Sequence, residues 1–325
     1  MRVAARAITQ ERIVLAIAIL LALSFSLLLP GFAALDNMLS LIRSVATIGV
    51  LGTAMAIVII GRGIDLSLIA VMVMPAAWIV VQVGNGVSVE VAAIDALIAA
   101  LILALLNGLL VAYAEVPAIF ATIATGIIVY GFFQFFFVPN DVVPFPSQIR
   151  WWGDFWISRP LGIPITIFYF GVVLVLAWGF LRYTRAGRYI YAIGDNPAAA
   201  RNAGVPVRSI QMLQYVITSL IAFVTGVVLA GTVNTANTRM FNSTLVYDVI
   251  LVVVLGGVGL SGGKGSVRNV LVGTLLIGVL INGMIIMDIP DDVQNLIKAA
   301  ILLTAIAIDS IINPRDEQIS QQGDI

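Results

Sequence analysis

The sequence predicts an all-α polytopic membrane protein, and three observations predict it. Apolar residues make up 61% of the 325 positions and charged residues only 10%, with a mean hydropathy of +1.08, far outside soluble globular usage. The apolar residues fall into runs of about 20, the length that crosses a bilayer as helix. Lys and Arg fall mostly in connections that share one side of a membrane when the spans alternate. Cysteine and histidine are both absent, which removes disulfides, thiol catalysis, imidazole relays and the usual zinc and haem ligands. No cofactor, metal or catalytic residue is expected.

Ten candidate spans follow in order: 13–30, 38–60, 64–83, 90–113, 117–138, 165–182, 210–232, 246–260, 269–288 and 292–312. The first follows Arg2, Arg6 and Arg12; it reads as a span rather than a signal peptide, because its apolar run is long and no small-x-small cleavage site follows. The third, after Gly61-Arg62-Gly63, is either a crossing or a re-entrant segment, and the eighth is short for a crossing. With the N-terminus inside, the inner connections hold Arg62, Arg182, Arg185, Arg188, Arg201, Arg208, Lys264, Arg268 and Arg315, against Arg150, Arg159 and Arg239 outside. A single transmembrane domain over 1–325 is expected, with a cytoplasmic N-terminus at 1–12, a cytoplasmic loop at 183–209 and a cytoplasmic tail at 313–325.

Residues 139–164 form the main outer loop, where five prolines punctuate Trp151-Trp152-Gly153-Asp154-Phe155-Trp156. Such aromatics anchor at headgroup depth, or offer a platform to an external partner. Between spans six and seven, Thr184 to Val207 is the one long polar, Arg-bearing stretch. Within it Asn196 is placed to cap a short helix, Pro197 to begin it, Gly204 to end it in the left-handed region and Pro206 to prevent its continuation. A capped two-turn helix at the membrane surface suits docking to a cytoplasmic partner.

Leu106-Asn107-Gly108 recurs as Ile281-Asn282-Gly283, 175 positions later (282 minus 107), and the same offset carries Pro117 onto Asp292. Spans 2–5 and 7–10 are then two copies, and the odd number of spans separating matching members inverts one relative to the other. Tight packing by Gly with an interhelical bond from Asn accounts for each pair equally well. Arg43, Asp95, Asp248 and Lys298 fall near the outer face, while Asp309 falls near the inner. The outer four either snorkel to the headgroups or line a wet vestibule. Candidates for a polar, uncharged translocation path are Asn107, Thr122, Thr125, Gln134, Thr218, Ser219 and Asn282.

The Gly-rich stretch from Gly256 to Ser266 is not a phosphate-binding loop. Position 258 is Val where G-x-x-x-x-G-K-[ST] needs Gly, and Lys264 precedes Gly265 rather than a hydroxyl residue. It reads as a turn at the inner surface, so any ATP must be bound by another chain.

Four blocks then carry a resemblance: Gly61-Arg62-Gly63-Ile64-Asp65-Leu66-Ser67, Val116 through Gly126, Thr184 through Gly194, and Val254 through Gly265. In this order they resemble the ribose-type sugar permeases of bacterial ABC importers, over about residues 40–312. Arg62 replaces the second Gly of the family's G-G-I-D-L-S signature. The resemblance implies a type II-like importer permease in the bacterial inner membrane. Its implied partners are a second permease chain (a copy or a paralogue), cytoplasmic ABC ATPase subunits and an extracytoplasmic solute-binding protein. It further implies that Asp195, Asn196, Pro197, Ala199, Ala200, Arg201 and Gly204 form a coupling helix that enters a groove on the ATPase. The implied cargo is a monosaccharide; branched-chain amino acids and nucleosides are the neighbouring choices. An ion-coupled secondary transporter lacks a carboxylate near a span's midplane, and an intramembrane enzyme lacks a catalytic set.

Overall fold

The computed structural model describes residues 10–312, with side chains through residue 307. Expectations resting on Arg2, Arg6, Arg315 and the tail 313–325 lie outside the described residues, and the one resting on Asp309 lies beyond the described side chains. The described chain is almost wholly helical: α1 Gln10–Leu28, α2 Leu35–Ile60, α3 Leu68–Gly84, α4 Val89–Ala112, α5 Ala118–Phe136, α6 Arg150–Ile157, α7 Ile165–Tyr183, α8 Arg185–Asp195, α9 Pro197–Asn202, α10 Val207–Val233, α11 Leu245–Gly256, α12 Val267–Ile286 and α13 Asp291–Ile312.

Among the described residues seven helices (α1, α2, α4, α5, α7, α10, α12) are long and apolar enough to cross a membrane, and α3 and α11 are apolar but shorter. The 17 residues of α3 rise about 26 Å, less than the roughly 30 Å of a hydrocarbon core. The non-helical stretch 61–67 precedes α3 inside the protein, where buried partners satisfy its backbone. The 12 residues of α11 are likewise extended, by a 3-10 turn at Thr238–Asn242 before the helix and by the glycine turn after it.

Helix α2 is the axis: from Val45 onward nearly every residue is buried, and α3, α7, α10, α11 and α12 all pack close to it or to one another. The surface is inside-out relative to a soluble protein. Helix α4 turns Ala92, Ala96, Ala100, Ala104 and Gly108 inward while Ile94, Ile98, Ile102 and Leu105 face outward. That four-residue spacing of small side chains lets backbones approach, the packing that holds helices together where lipid offers no hydrophobic drive. Its partner is α10; Met212 of α10 lies where a Cβ on Gly108 would sit.

At the bundle end away from α9, β1 (Val142–Pro144) pairs antiparallel with β2 (Thr235–Asn237), Val142 opposite Asn237. Arg239 and Asp141 (3.0 Å) add an ion pair to this cap. The short helix α6 packs on α10, with Trp152 and Trp156 against Gly231. Trp151 and Phe155 stay exposed, the arrangement of an interfacial anchor.

Candidate functional site

The polar stretch after α7 forms two helices, not one. Thr184 caps α8, its Oγ1 accepting from Gly187 N (3.0 Å). Gly187, Ile190, Ile193 and Gly194 are buried on one face of α8, while Arg185 and Arg188 are exposed. Asn196 then caps α9, its Oδ1 accepting from Ala199 N (3.0 Å). Gly204 stands at φ +81°, ending the turn in the left-handed region with open space around it, as its sequence position requires. Of the expected docking residues, Asp195, Asn196, Ala199, Arg201 and Gly204 are exposed and Pro197 is half-buried. Ala200 is 5% exposed and packs into the core, so it seats α9 on the bundle.

What holds this corner is Arg62. Its φ of 67° is left-handed, a region that disfavours residues with a Cβ and explains why glycine is the ordinary occupant of such a turn. The side chain compensates across the corner: Nε donates to Gly194 O (2.8 Å) and Nη2 to Asp195 O (3.0 Å). These carbonyls end α8, where the helix dipole favours a cation. Beside them Gly263 N donates to Ile60 O (2.8 Å), and Tyr191 Oη donates to Gly265 O (2.9 Å). A Cβ on Gly194 would overlap the Ile60 carbonyl and the Gly263 amide, so the backbones of α8, the α2–α3 break and the glycine turn meet there. The glycine turn, expected as a turn at the inner surface, also forms a wall of this corner. Burial pushes the Tyr191 phenol above its usual range.

From the break a hydrogen-bond chain runs inward. Asp65 is fully buried, and its Oδ1 accepts from Ser67 N (3.0 Å) and Ser67 Oγ (2.5 Å). Asn107 Nδ2 donates to Ser67 Oγ (2.7 Å), and Thr125 Oγ1 donates to Asn107 Oδ1 (2.5 Å). Leu66 N donates to Thr122 Oγ1 (3.0 Å). The Asn107–Ser67 and Leu66–Thr122 bonds thereby fasten the break to α4 and α5, at roughly 1 kcal/mol per neutral bond. Gln214 and Tyr215 of α10 pack against Gly61 and Gly63 on the other side.

Three of the expected path residues, Asn107, Thr122 and Thr125, are thus brought together. Thr218 Oγ1 reaches Ala54 O (3.3 Å), and Ser219 is buried with its hydroxyl unpartnered. Gln134 Nε2 donates to Asp141 Oδ1 (3.1 Å) in the far-end cap. Asn282 exchanges amide hydrogen bonds with Asn37 of α2 (2.9 and 3.1 Å). Of the outer charges, Asp248 and Lys298 form an ion pair (2.8 Å) with both side chains 11% exposed.

Seven long apolar helices among the described residues, packed with shorter apolar ones around α2 and the break that follows it, make this a polytopic membrane protein. The chain belongs to the family of branched-chain amino acid transport system permease components, whose model matches residues 37–306. It is therefore a transport subunit and not an enzyme. It is similar to the ribose import permease protein of Escherichia coli (31% identical over 302 residues, 93% of this chain and 94% of that one). It is also similar to the ribose import permease protein of Bacillus subtilis (30%, 89% of each chain) and the galactofuranose transporter permease protein of Escherichia coli (30%, 84% of this chain and 79% of that one). No solved structure matches the chain.

Proposed function

We propose that this chain is the membrane-spanning subunit of an ATP-driven importer that passes a monosaccharide from an extracytoplasmic binding protein into the cytoplasm. The supporting observation is the exposed, doubly capped α9 latched through Arg62 to the break between α2 and α3. Force on α9 reaches Arg62, and through Asp65, Ser67, Asn107 and Thr125 it reaches α4 and α5. Asp195, Asn196, Pro197, Ala199, Arg201 and Gly204 are the docking surface for an ATPase in this reading, and Ala200 is its seat. A sugar is favoured over a branched-chain amino acid because the relatives named for a cargo carry ribose, galactofuranose and fructose. The uncharged candidate residues Asn107, Thr122, Thr125, Thr218 and Ser219 then flank the inner stretch of the route, with Gln134 and Asn282 toward its mouth.

The topology proposed is ten crossings in the bacterial inner membrane with both termini cytoplasmic, made by α1–α5, α7 and α10–α13. An inverted repeat of spans 2–5 and 7–10 is supported by reciprocal packing: α4 lies on α10 as α12 lies on α2, α3 on α10 as α11 on α2, and α5 on α3 as α13 on α11. A second permease chain is placed on the α11–α13 flank. There the Asp248–Lys298 pair borders a cavity of about 330 Å³, and an ion pair turned to lipid is costly. The test is reconstitution with candidate ATPase and binding proteins. Uptake of labelled ribose that needs both partners and ATP supports the reading; uptake by this chain alone under an ion gradient refutes it.

A further inference from the structure

A polar crevice opens between α2, α7 and α10 at the bundle end opposite α9, in a chain whose neighbouring outward faces are Leu, Ile, Val and Phe. Its volume is about 290 Å³. Helix α2 contributes Ser40, Arg43 and Thr47, one helical face by their spacing, while α7 contributes Thr166 and Tyr169 and α10 contributes Thr225. Tyr169 and Thr225 satisfy each other (2.9 Å). Two groups are left over. Thr166 is 7% exposed and its Oγ1, buried in the wall, has no hydrogen-bond partner. Arg43 is half-buried, and no hydrogen bond or ion pair joins it to any described residue. A guanidinium inside a membrane protein with no carboxylate facing it is costly unless something anionic meets it, and a buried hydroxyl without a partner carries a desolvation penalty.

Depth and charge say what meets them. Trp156, on the interfacial helix α6, stacks edge-on against Tyr169 at 5.9 Å between ring centres, which sets the crevice beside the aromatic belt and hence at headgroup level. Thr166 lies in the first turn of α7, the helix end whose dipole favours an anion. A forked donor plus hydroxyls is the chemistry that holds phosphate oxygens. We propose that this crevice binds the phosphodiester headgroup of a glycerophospholipid, with Arg43 as the charge partner and Thr166 as a hydroxyl donor, and so pins α7 to α2 at the membrane surface.

The test uses the full chain purified from bacterial membranes, with phosphatidylglycerol and phosphatidylethanolamine as probes and native mass spectrometry as readout. One phospholipid per chain is expected to survive in the wild type. Arg43→Gln should weaken retention about tenfold or more and Thr166→Val about threefold, the losses appropriate to a charged and a neutral hydrogen bond. Inorganic phosphate and ribose should not displace the lipid. No retained lipid in the wild type, or retention in both variants equal to wild type, overturns the proposal. Displacement by free phosphate or by ribose overturns it as well, and reassigns the crevice to a soluble anion or to the cargo. Should Arg43→Gln fail to elute as a folded protein, Thr166→Val and the competition arms still decide.

Discussion

Replacing Arg62 by alanine and, separately, by glycine isolates the two opposing effects at the corner. The side chain makes two charge-assisted bonds, at 2.8 Å to Gly194 O and 3.0 Å to Asp195 O. Such bonds contribute about 1.5–3 kcal/mol when buried; the second is exposed and counts for less, so together they hold the corner by about 2–3 kcal/mol. Against this stands a left-handed φ of 67°, which costs a residue with a Cβ about 1 kcal/mol or slightly more. Arg62→Ala loses the bonds and keeps the strain. Arg62→Gly loses the bonds and relieves it, for a net loss of about 1–2 kcal/mol. Hydrogen exchange at the amides of residues 194–199 reads the local opening free energy: about 30- to 150-fold faster exchange is expected for Arg62→Ala and about 5- to 30-fold for Arg62→Gly, at 1.36 kcal/mol per decade. Wild-type protection in the alanine variant, or equal exchange in the two variants, would refute the latch.

Gly194→Ala has no room beside Ile60 and Gly263 and should lower thermal stability in detergent by several degrees, whereas Gly204→Ala meets no atom and should cost only about 1–2 kcal/mol of left-handed strain, seen as fraying of α9 by hydrogen exchange. Asn107→Leu removes the bridge between Ser67 and Thr125 and should destabilise by about 2–4 kcal/mol, measured as a drop in melting temperature and in ATP-driven uptake together. Asp248→Ala strands Lys298 and should cost about 3–5 kcal/mol, while the double variant Asp248→Ala with Lys298→Ala should recover much of that loss; a double variant worse than the single one would contradict the pairing.

Local signals were legible from the chain. The caps of α9, written in Asn196, Pro197 and Gly204, are where their chemistry puts them, and each expected span from 13–30 to 292–312 holds a helix whose bounds differ by a few residues. Helix α8 was missed because its polar outer face masked the Ile190 and Ile193 spacing; Thr184 as an N-cap was the available signal. The contacts of Arg62 lie 132 and 133 positions away, and no local pattern encodes them. Asn107 and Asn282 look alike in sequence, yet one serves the break and the other pairs with Asn37, because the surrounding helices decide what an amide meets.

The chain contains no cysteine, so a single introduced thiol reports one position cleanly. Ala199→Cys, exposed on α9, placed in the importer assembled with its candidate ATPase and treated with a short bifunctional crosslinker, tests the coupling surface most directly. A crosslink to the ATPase that rises or falls with ATP, together with labelling only from the cytoplasmic side, is the predicted result. Labelling from the outer side, or no crosslink in an assembly that still transports, would contradict it.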